Sequence, residues 1–105
     1  MMQPLTPSQA KHLRGLAHGL KPVVFVGQKG LSPAVLESVR EALDRHELIK
    51  VKFQDLKDRA LKSRWAAEIE QAADCRLAGL IGHTAILYRP QPDPERRRVV
   101  LPAAR

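Results

Sequence analysis

Two glycines three positions apart, Gly27 and Gly30, enclose the residues of this chain that are best suited to hold an anion. Glycine lets the backbone take unusual dihedral angles and leaves no side chain between the main chain and a ligand. Between them, Gln28 is polar and Lys29 places a full positive charge at the tip of the loop. A Ser-Pro pair that follows is typical of a helix start, and the N–H groups at such a start favour anions. The segment therefore predicts a site for phosphate groups.

The spacing of this loop excludes two kinds of phosphate site. A nucleoside-triphosphate loop needs four residues between its glycines and a following Gly-Lys-Ser/Thr, and a dinucleotide fingerprint needs a third glycine, so neither pattern is present. A Gly-x-x-Gly loop clamps the RNA backbone in KH domains. The same spacing also fits a plain tight turn between a strand and a helix. The loop alone therefore allows two interpretations, RNA binding and a structural turn.

The charge of the chain is unevenly distributed. It has 105 residues and a formal net charge of +7. Residues 1–30 carry four basic and no acidic side chains, residues 76–105 carry six basic and two acidic ones, and the middle is close to neutral. Such an asymmetry favours a polyanionic partner, with nucleic acid first and an anionic membrane surface second. A solubilising surface without a specific partner is the alternative.

Further cations accompany the loop. Three basic side chains recur at helical spacing on the first predicted helix and form one stripe, for which a solvated helix face is the alternative. Two lysines alternate with apolar residues on a predicted strand, which indicates a half-covered strand with a basic open face. One more lysine precedes the strand that leads into the loop. The predicted RNA-binding residues are therefore Gly27, Gln28, Lys29, Gly30, Lys21, Lys11, Arg14, His18, Lys50 and Lys52.

No catalytic or metal site is predicted. The four histidines are scattered, and with the single Cys75 they form no zinc-ligand spacing. No Ser-His-Asp arrangement follows from spacing, and solvated helix faces explain the acidic residues better than acid-base catalysis does. We therefore expect a protein that is not an enzyme and uses no cofactor.

The elements that position these residues are predicted to follow an α-β-α-β-α-β-β order. Helix starts are indicated at Thr6-Pro7, Ser32-Pro33 and Asp58. Strands are indicated over residues 22–26, 47–54, 75–81 and 83–89, the first of them buried and the last two joined by a hairpin at Gly82. Alternation of this kind predicts an α/β fold, a single two-layer domain with a mixed sheet of about four strands.

Residues 4–90 are expected to form this domain, and residues 91–105 a basic, proline-containing tail in which Val99–Leu101 would add an edge strand. No apolar run approaches the roughly 20 residues that span a bilayer. Lys11 and Arg14 interrupt the region where a signal peptide would lie. A single cysteine suits a reducing compartment. We therefore expect a soluble, cytoplasmic monomer that does not associate with membranes.

Four motifs together resemble YhbY-type proteins, the bacterial form of the CRM domain (chloroplast RNA splicing and ribosome maturation). They are Lys21–Val24, Gly27–Leu31, Glu47–Lys52, and Ile81–Thr84 with Leu87–Pro90, in the family's order and at its spacing. The segment His12–His18 also resembles the family's first helix. The resemblance covers residues 5 to about 90, although Asp55–Ala73 matches only loosely and the tail lies outside the pattern.

This resemblance implies a fold similar to the C-terminal domain of bacterial translation initiation factor three. It also implies RNA binding through the glycine loop, with Lys50 and Lys52 matching the family's basic strand. The RNA would be ribosomal RNA in the precursor of the large ribosomal subunit, whose assembly the protein would assist. Two other functions stay open. One is a protein-interaction module on the ribosome, and the other is a DNA-binding protein, although the charge-balanced second helix does not resemble a recognition helix.

Overall fold

The computed structural model describes residues 3–103 of the chain. Helices and strands alternate in the predicted order, which is confirmed. The helices are α1 (Pro7–Ala17), α2 (Pro33–His46) and α3 (Arg59–Ala72). The strands are β1 (Val24–Val26), β2 (Leu48–Phe53), β3 (Arg76–Ile81) and β4 (Thr84–Tyr88). A short 3-10 turn, Pro94–Arg96, lies in the tail.

Each helix begins at the capping residue that the sequence indicates. The Thr6 hydroxyl accepts a hydrogen bond from the Gln9 amide, and the Gln9 side chain accepts one from the Thr6 amide, forming a capping box. The Ser32 hydroxyl caps α2, and the Asp58 carboxylate caps α3. These side chains satisfy amides that would otherwise lack partners in the first turn, so the local sequence determines where each helix starts.

The four strands form one mixed sheet in the order β1-β2-β4-β3. Strand β1 is parallel to β2, whereas β4 is antiparallel to both β2 and β3. The turn between β3 and β4 contains Gly82 at φ 58°, a left-handed conformation that glycine adopts without strain. The predicted α/β fold with a mixed four-stranded sheet is confirmed, as is the hairpin.

The number of layers differs from the prediction. Helices α2 and α3 pack on one face of the sheet against Ile49 and Leu87, among others. Helix α1 packs on the opposite face against Leu48 and Ile86. The domain therefore has three layers rather than two, because neighbouring residues of β2 and β4 are apolar on both faces, as expected for strands that are covered on both sides.

Strand β1 lies at the edge of the sheet and is covered on one face only. Val24 and Val26 are buried under the helices α2 and α3. Val23, just before the strand, and Phe25 are 48% and 50% exposed, because α1 packs over the other three strands and not over β1. The prediction of a buried strand therefore holds for one face and is wrong for Phe25.

The tail folds back on the domain. The buried carboxylate of Glu47 accepts hydrogen bonds from the amides of Gln91, Arg98 and Val99, at 3.0, 2.6 and 3.1 Å. Val99 and Leu101 pack against the cluster under α1. The suggested edge strand over Val99–Leu101 is not formed, and the Val99 amide donates to the Glu47 carboxylate instead of to a neighbouring strand.

Candidate nucleic-acid interface

The glycine loop is a tight turn that directly follows β1. The Gly30 amide donates a hydrogen bond of 3.0 Å to the Gly27 carbonyl oxygen and closes the turn. Gln28 and Lys29 form its tip, and both side chains are exposed. The turn thus exposes the Lys29 side chain, and the backbone amides of Gln28 and Lys29 lie at its tip.

The two glycines of the turn lie in different environments. Gly30 is buried, has φ 82°, and would place an added Cβ 3.0 Å from the Trp65 ring on α3. That ring also packs against Phe53, with ring centroids 6.1 Å apart. An added Cβ at Gly27 would meet no atom within 4 Å. Gly27 therefore leaves open space on the exposed side, whereas Gly30 fits the turn against the core.

The N-terminus of α2 offers fewer donors than the sequence indicates. Pro33 has no amide hydrogen, and the Val35 amide already donates to the Ser32 hydroxyl at 3.1 Å. The Ala34 amide and the two amides at the tip of the turn make no hydrogen bond within residues 3–103. The predicted anion site therefore consists of these amides and Lys29, with the partial positive charge of the helix behind them.

A row of four side chains crosses the sheet beside this turn. Phe25 pairs with Lys52, Lys52 with Thr84, and Thr84 with Ile81, one residue from each strand. All four point to the face on which α1 packs, but the helix does not cover this end of the sheet. Ile81 is 59% exposed, Phe25 is half exposed and Lys52 is exposed. The sheet face at Lys52 is therefore open.

Basic side chains of α1 and of the residue that follows it lie along one side of this row. A cavity of about 180 Å³ lies between helix and sheet, and no carboxylate is among the residues that line it. These residues are Arg14, His18, Lys50, Ile81, Thr84 and Ile86. The structure thus brings Arg14, His18 and Lys50 together with the open end of the sheet.

Two of these predicted binding cations also support the fold. The Arg14 side chain donates to the Ala78 carbonyl oxygen at 2.9 Å, at the irregularity in β3. The Lys50 ammonium group donates to the Leu20 carbonyl oxygen at 2.9 Å and to that of His18 at 3.4 Å, just after α1 ends. A positive charge next to these carbonyl oxygens stabilises the C-terminal end of the helix. The expected open face at Lys50 is therefore wrong, because α1 lies over this part of β2.

Other predicted cations lie further from the turn. Lys11 is exposed on the outer side of α1, next to His12 and Pro102. Lys21 is exposed at the opposite end of β1 from the turn, on the rim of a separate apolar cavity of about 480 Å³. The open sheet end therefore gathers the turn and Lys52, with His18 at its border, while Lys21 is separated from them by the length of β1.

Lys62 is a residue at this end that sequence reasoning missed. It is only 5% exposed, and its ammonium group donates to the Gly82 carbonyl oxygen and lies 3.1 Å from His83 Nδ1. It thus ties α3 to the hairpin beside the row. A signal was present in the sequence, because Lys62 shares the helical spacing of Ala66 and Ile69, which are both buried.

The described residues contain no group that would hold a metal ion. Across residues 3–103, no three His, Cys, Asp or Glu side chains lie close enough together. Cys75 is buried, and burial, reinforced by Glu70, raises the pKa of its thiol to about 12. The chemistry available at the open sheet end is therefore that of cations, amides and one aromatic ring.

The sequence matches the model of a known protein family over most of its length. The model of the CRS1/YhbY (CRM) domain matches residues 5–89. The chain belongs to this family. It is 40% identical over 101 residues to an RNA-binding protein of Haemophilus influenzae, covering 96% of this CRM domain chain and 98% of that protein. It is 32% identical over 99 residues to "Probable RNA-binding protein YqeI" of Bacillus subtilis, covering 93% and 99% of the two chains.

The fold of this CRM domain also matches a solved structure. The solution structure of the protein SAV1595 from Staphylococcus aureus superposes with a TM-score of 0.79 and 28% sequence identity. The match covers 93% of this chain and 99% of that one. No helix in the described part of the chain has the length and apolar character needed to cross a membrane.

Proposed function

We propose that this CRM domain binds RNA without catalysing a reaction, and that the Gly27–Gly30 turn holds the RNA backbone. The observation that carries the proposal is the turn itself, which exposes Lys29 and whose two tip amides make no hydrogen bond within residues 3–103. It lies beside an open sheet end where Lys52 is exposed and His18 borders the cavity. Phosphate oxygens accept hydrogen bonds from such amides and pair with such cations. The RNA-binding names of its relatives support the same function.

The target we propose is ribosomal RNA in the precursor of the large ribosomal subunit, whose assembly the protein would assist as a cytoplasmic monomer. The resemblance of its four motifs to YhbY-type proteins supports this target. Gly27, Gln28, Lys29 and Lys52 would contact the RNA directly, together with His18. The buried Gly30 would act by fitting the turn against Trp65. Lys11 and Lys21 would extend the contact along the backbone, and Arg14 and Lys50 would mainly hold α1 in position beside it.

The first test measures how RNA affinity depends on salt. Each phosphate that a protein neutralises releases counterions, so Lys29→Ala should weaken binding and lower the salt slope by about 0.7 to 0.9. Arg45→Ala is a matched control, since Arg45 is exposed in the last turn of α2. It lies about 18 Å along that helix from its first residue. An unchanged slope for Lys29→Ala would remove the turn from the interface.

The second test identifies the nucleic acid. Crosslinking in cells followed by sequencing of the attached fragments should recover ribosomal RNA of the large subunit. Competition between RNA and duplex DNA at matched salt should favour RNA. Recovery of other RNAs would contradict the proposed target, and a preference for duplex DNA would contradict RNA binding as the function.

A further inference from the structure

Phe25 differs from the other aromatic residues because it does not pack into a core of the domain. The chain has four aromatic residues, all of them within the described part. Phe53 and Trp65 pack against each other, and Tyr88 is buried under α1. Phe25 is half exposed on the open face of the sheet. A large apolar ring in this position is a candidate contact for a ligand.

The neighbours of Phe25 point to the chemistry of that ligand. Lys52 stands beside it in register on β2, and the turn begins two residues further along the chain, about 7 Å at strand spacing. A nucleotide joins its base to its phosphate over a comparable span. One nucleotide could therefore place its phosphate at the turn and its base on the ring, while Lys52 meets a neighbouring phosphate.

We propose that Phe25 stacks an unpaired RNA base next to the phosphate that the turn holds. This inference rests on the proposed function and makes it narrower, because it assigns the open sheet end to single-stranded RNA. A base within a duplex is already stacked on both faces and cannot lie flat on the ring, whereas unpaired bases are available to aromatic side chains. Thr84 and Ile81 continue the row and form the floor for the next nucleotide.

The basic surroundings favour RNA over an apolar protein partner at this surface. Lys52 is adjacent, and the cavity between α1 and the row is bordered by Arg14, His18 and Lys50, with no carboxylate in its lining. A cation beside an exposed aromatic ring, within a basic surface, is the arrangement that binds single strands, in which charge tracks the backbone and rings stack bases.

The experiment compares Phe25→Leu and Phe25→Tyr with the parent protein. The probes are a 12-residue oligoadenylate, an RNA backbone of the same length without bases, and an RNA duplex. Phe25→Leu removes one stacking contact, so this variant should bind oligoadenylate about tenfold more weakly than the parent does. Phe25→Tyr keeps the ring and should stay within about twofold of the parent. Neither variant removes a charge, so the salt slope should not change.

Preference for bases is the decisive readout. The parent should bind oligoadenylate more tightly than the base-free backbone, and Phe25→Leu should lose most of that difference while binding the duplex as the parent does. If Phe25→Leu binds oligoadenylate like the parent and Lys29→Ala binds it weakly, the stacking inference fails and the proposed function stands. If the parent binds none of the RNAs, the proposed function itself fails. A change in oligomeric state in light scattering, with RNA affinity unchanged, would assign Phe25 to a protein contact and overturn the inference.

Discussion

The ammonium group of Lys50 donates a 2.9 Å hydrogen bond to the carbonyl oxygen of Leu20, which ties β2 to the segment that follows α1. Lys52, two residues further along the same strand and on the same face, is exposed, and its ammonium group makes no hydrogen bond within residues 3–103. Two lysines that look alike in the sequence therefore have different roles. One holds the end of a helix, and the other is free to meet a ligand.

This difference predicts opposite effects of the same substitution. Lys50→Met should lower the free energy of unfolding by about 1 kcal/mol, because carbonyl groups after the helix lose their cationic partner. Lys52→Met should leave stability within about 0.5 kcal/mol and weaken RNA binding. Urea unfolding and RNA titration of both variants measure the two effects. Equal stability of the two variants would contradict the capping role of Lys50.

The turn predicts a second matched pair. Gly30→Ala should destabilise the fold by about 2 kcal/mol or more, since alanine is strained at φ 82° and its Cβ would press on Trp65. Gly27→Ala should change stability by less than about 0.5 kcal/mol, because its Cβ would meet no neighbouring atom. Thermal unfolding, monitored by Trp65 fluorescence, distinguishes the two. If both variants unfold like the parent, the packing of the turn on Trp65 does not contribute to stability. Gly27→Ala is the better variant for RNA-binding assays, because it should leave the fold intact.

The buried carboxylate of Glu47 predicts a dependence of stability on pH. Burial raises the pKa of this group, but the amides of Arg98, Gln91 and Val99, together with the charge of Arg97, outweigh burial and hold the pKa below its ordinary value. A carboxylate with a lowered pKa in the folded state stabilises the fold above its unfolded pKa near 4.5 and loses that contribution as the pH falls. Stability should therefore decline below about pH 4.5, and the tail should loosen first.

The test for Glu47 is the substitution Glu47→Gln. It should cost about 1–3 kcal/mol at pH 7, since an amide replaces a charged acceptor of three backbone hydrogen bonds, and it should flatten the acid side of the stability profile. Glu41→Gln, at an exposed position of α2, removes the same charge without removing a buried acceptor and should stay within about 0.5 kcal/mol. Identical acid profiles for Glu47→Gln and the parent would show that Glu47 does not hold the tail.

The thiol of Cys75 should be unreactive in the folded protein. Because burial raises its pKa to about 12, only about one thiol in ten thousand is ionised at pH 8, and the sulfur is enclosed by the core. A disulfide reagent such as Ellman's should therefore react slowly with the native protein and rapidly in denaturing urea. Fast reaction under native conditions would indicate that the β3 side of the core opens readily.

Local residue patterns were sufficient to predict most of the secondary structure. The caps at Thr6, Ser32 and Asp58 predict all three helix starts, because a short polar side chain satisfies amides that belong to its own turn. Gly82 predicts the hairpin, because its backbone needs a positive φ. The glycine turn, its exposed lysine and its position before α2 were also predictable, since they depend on residues within one short segment.

The sequence by itself thus determined the order of the elements, the position of the turn and the excess of positive charge. Only the tertiary structure decided which faces the helices cover. Alternation in β2 places Lys50 and Lys52 on one face but carries no information on where α1 ends over that face. The position of that helix end decides that the Lys50 ammonium group is hydrogen-bonded while that of Lys52 is exposed. For the same reason Phe25 could not be recognised as exposed. A strand's pattern records which residues can be buried, whereas actual burial depends on packing between distant segments.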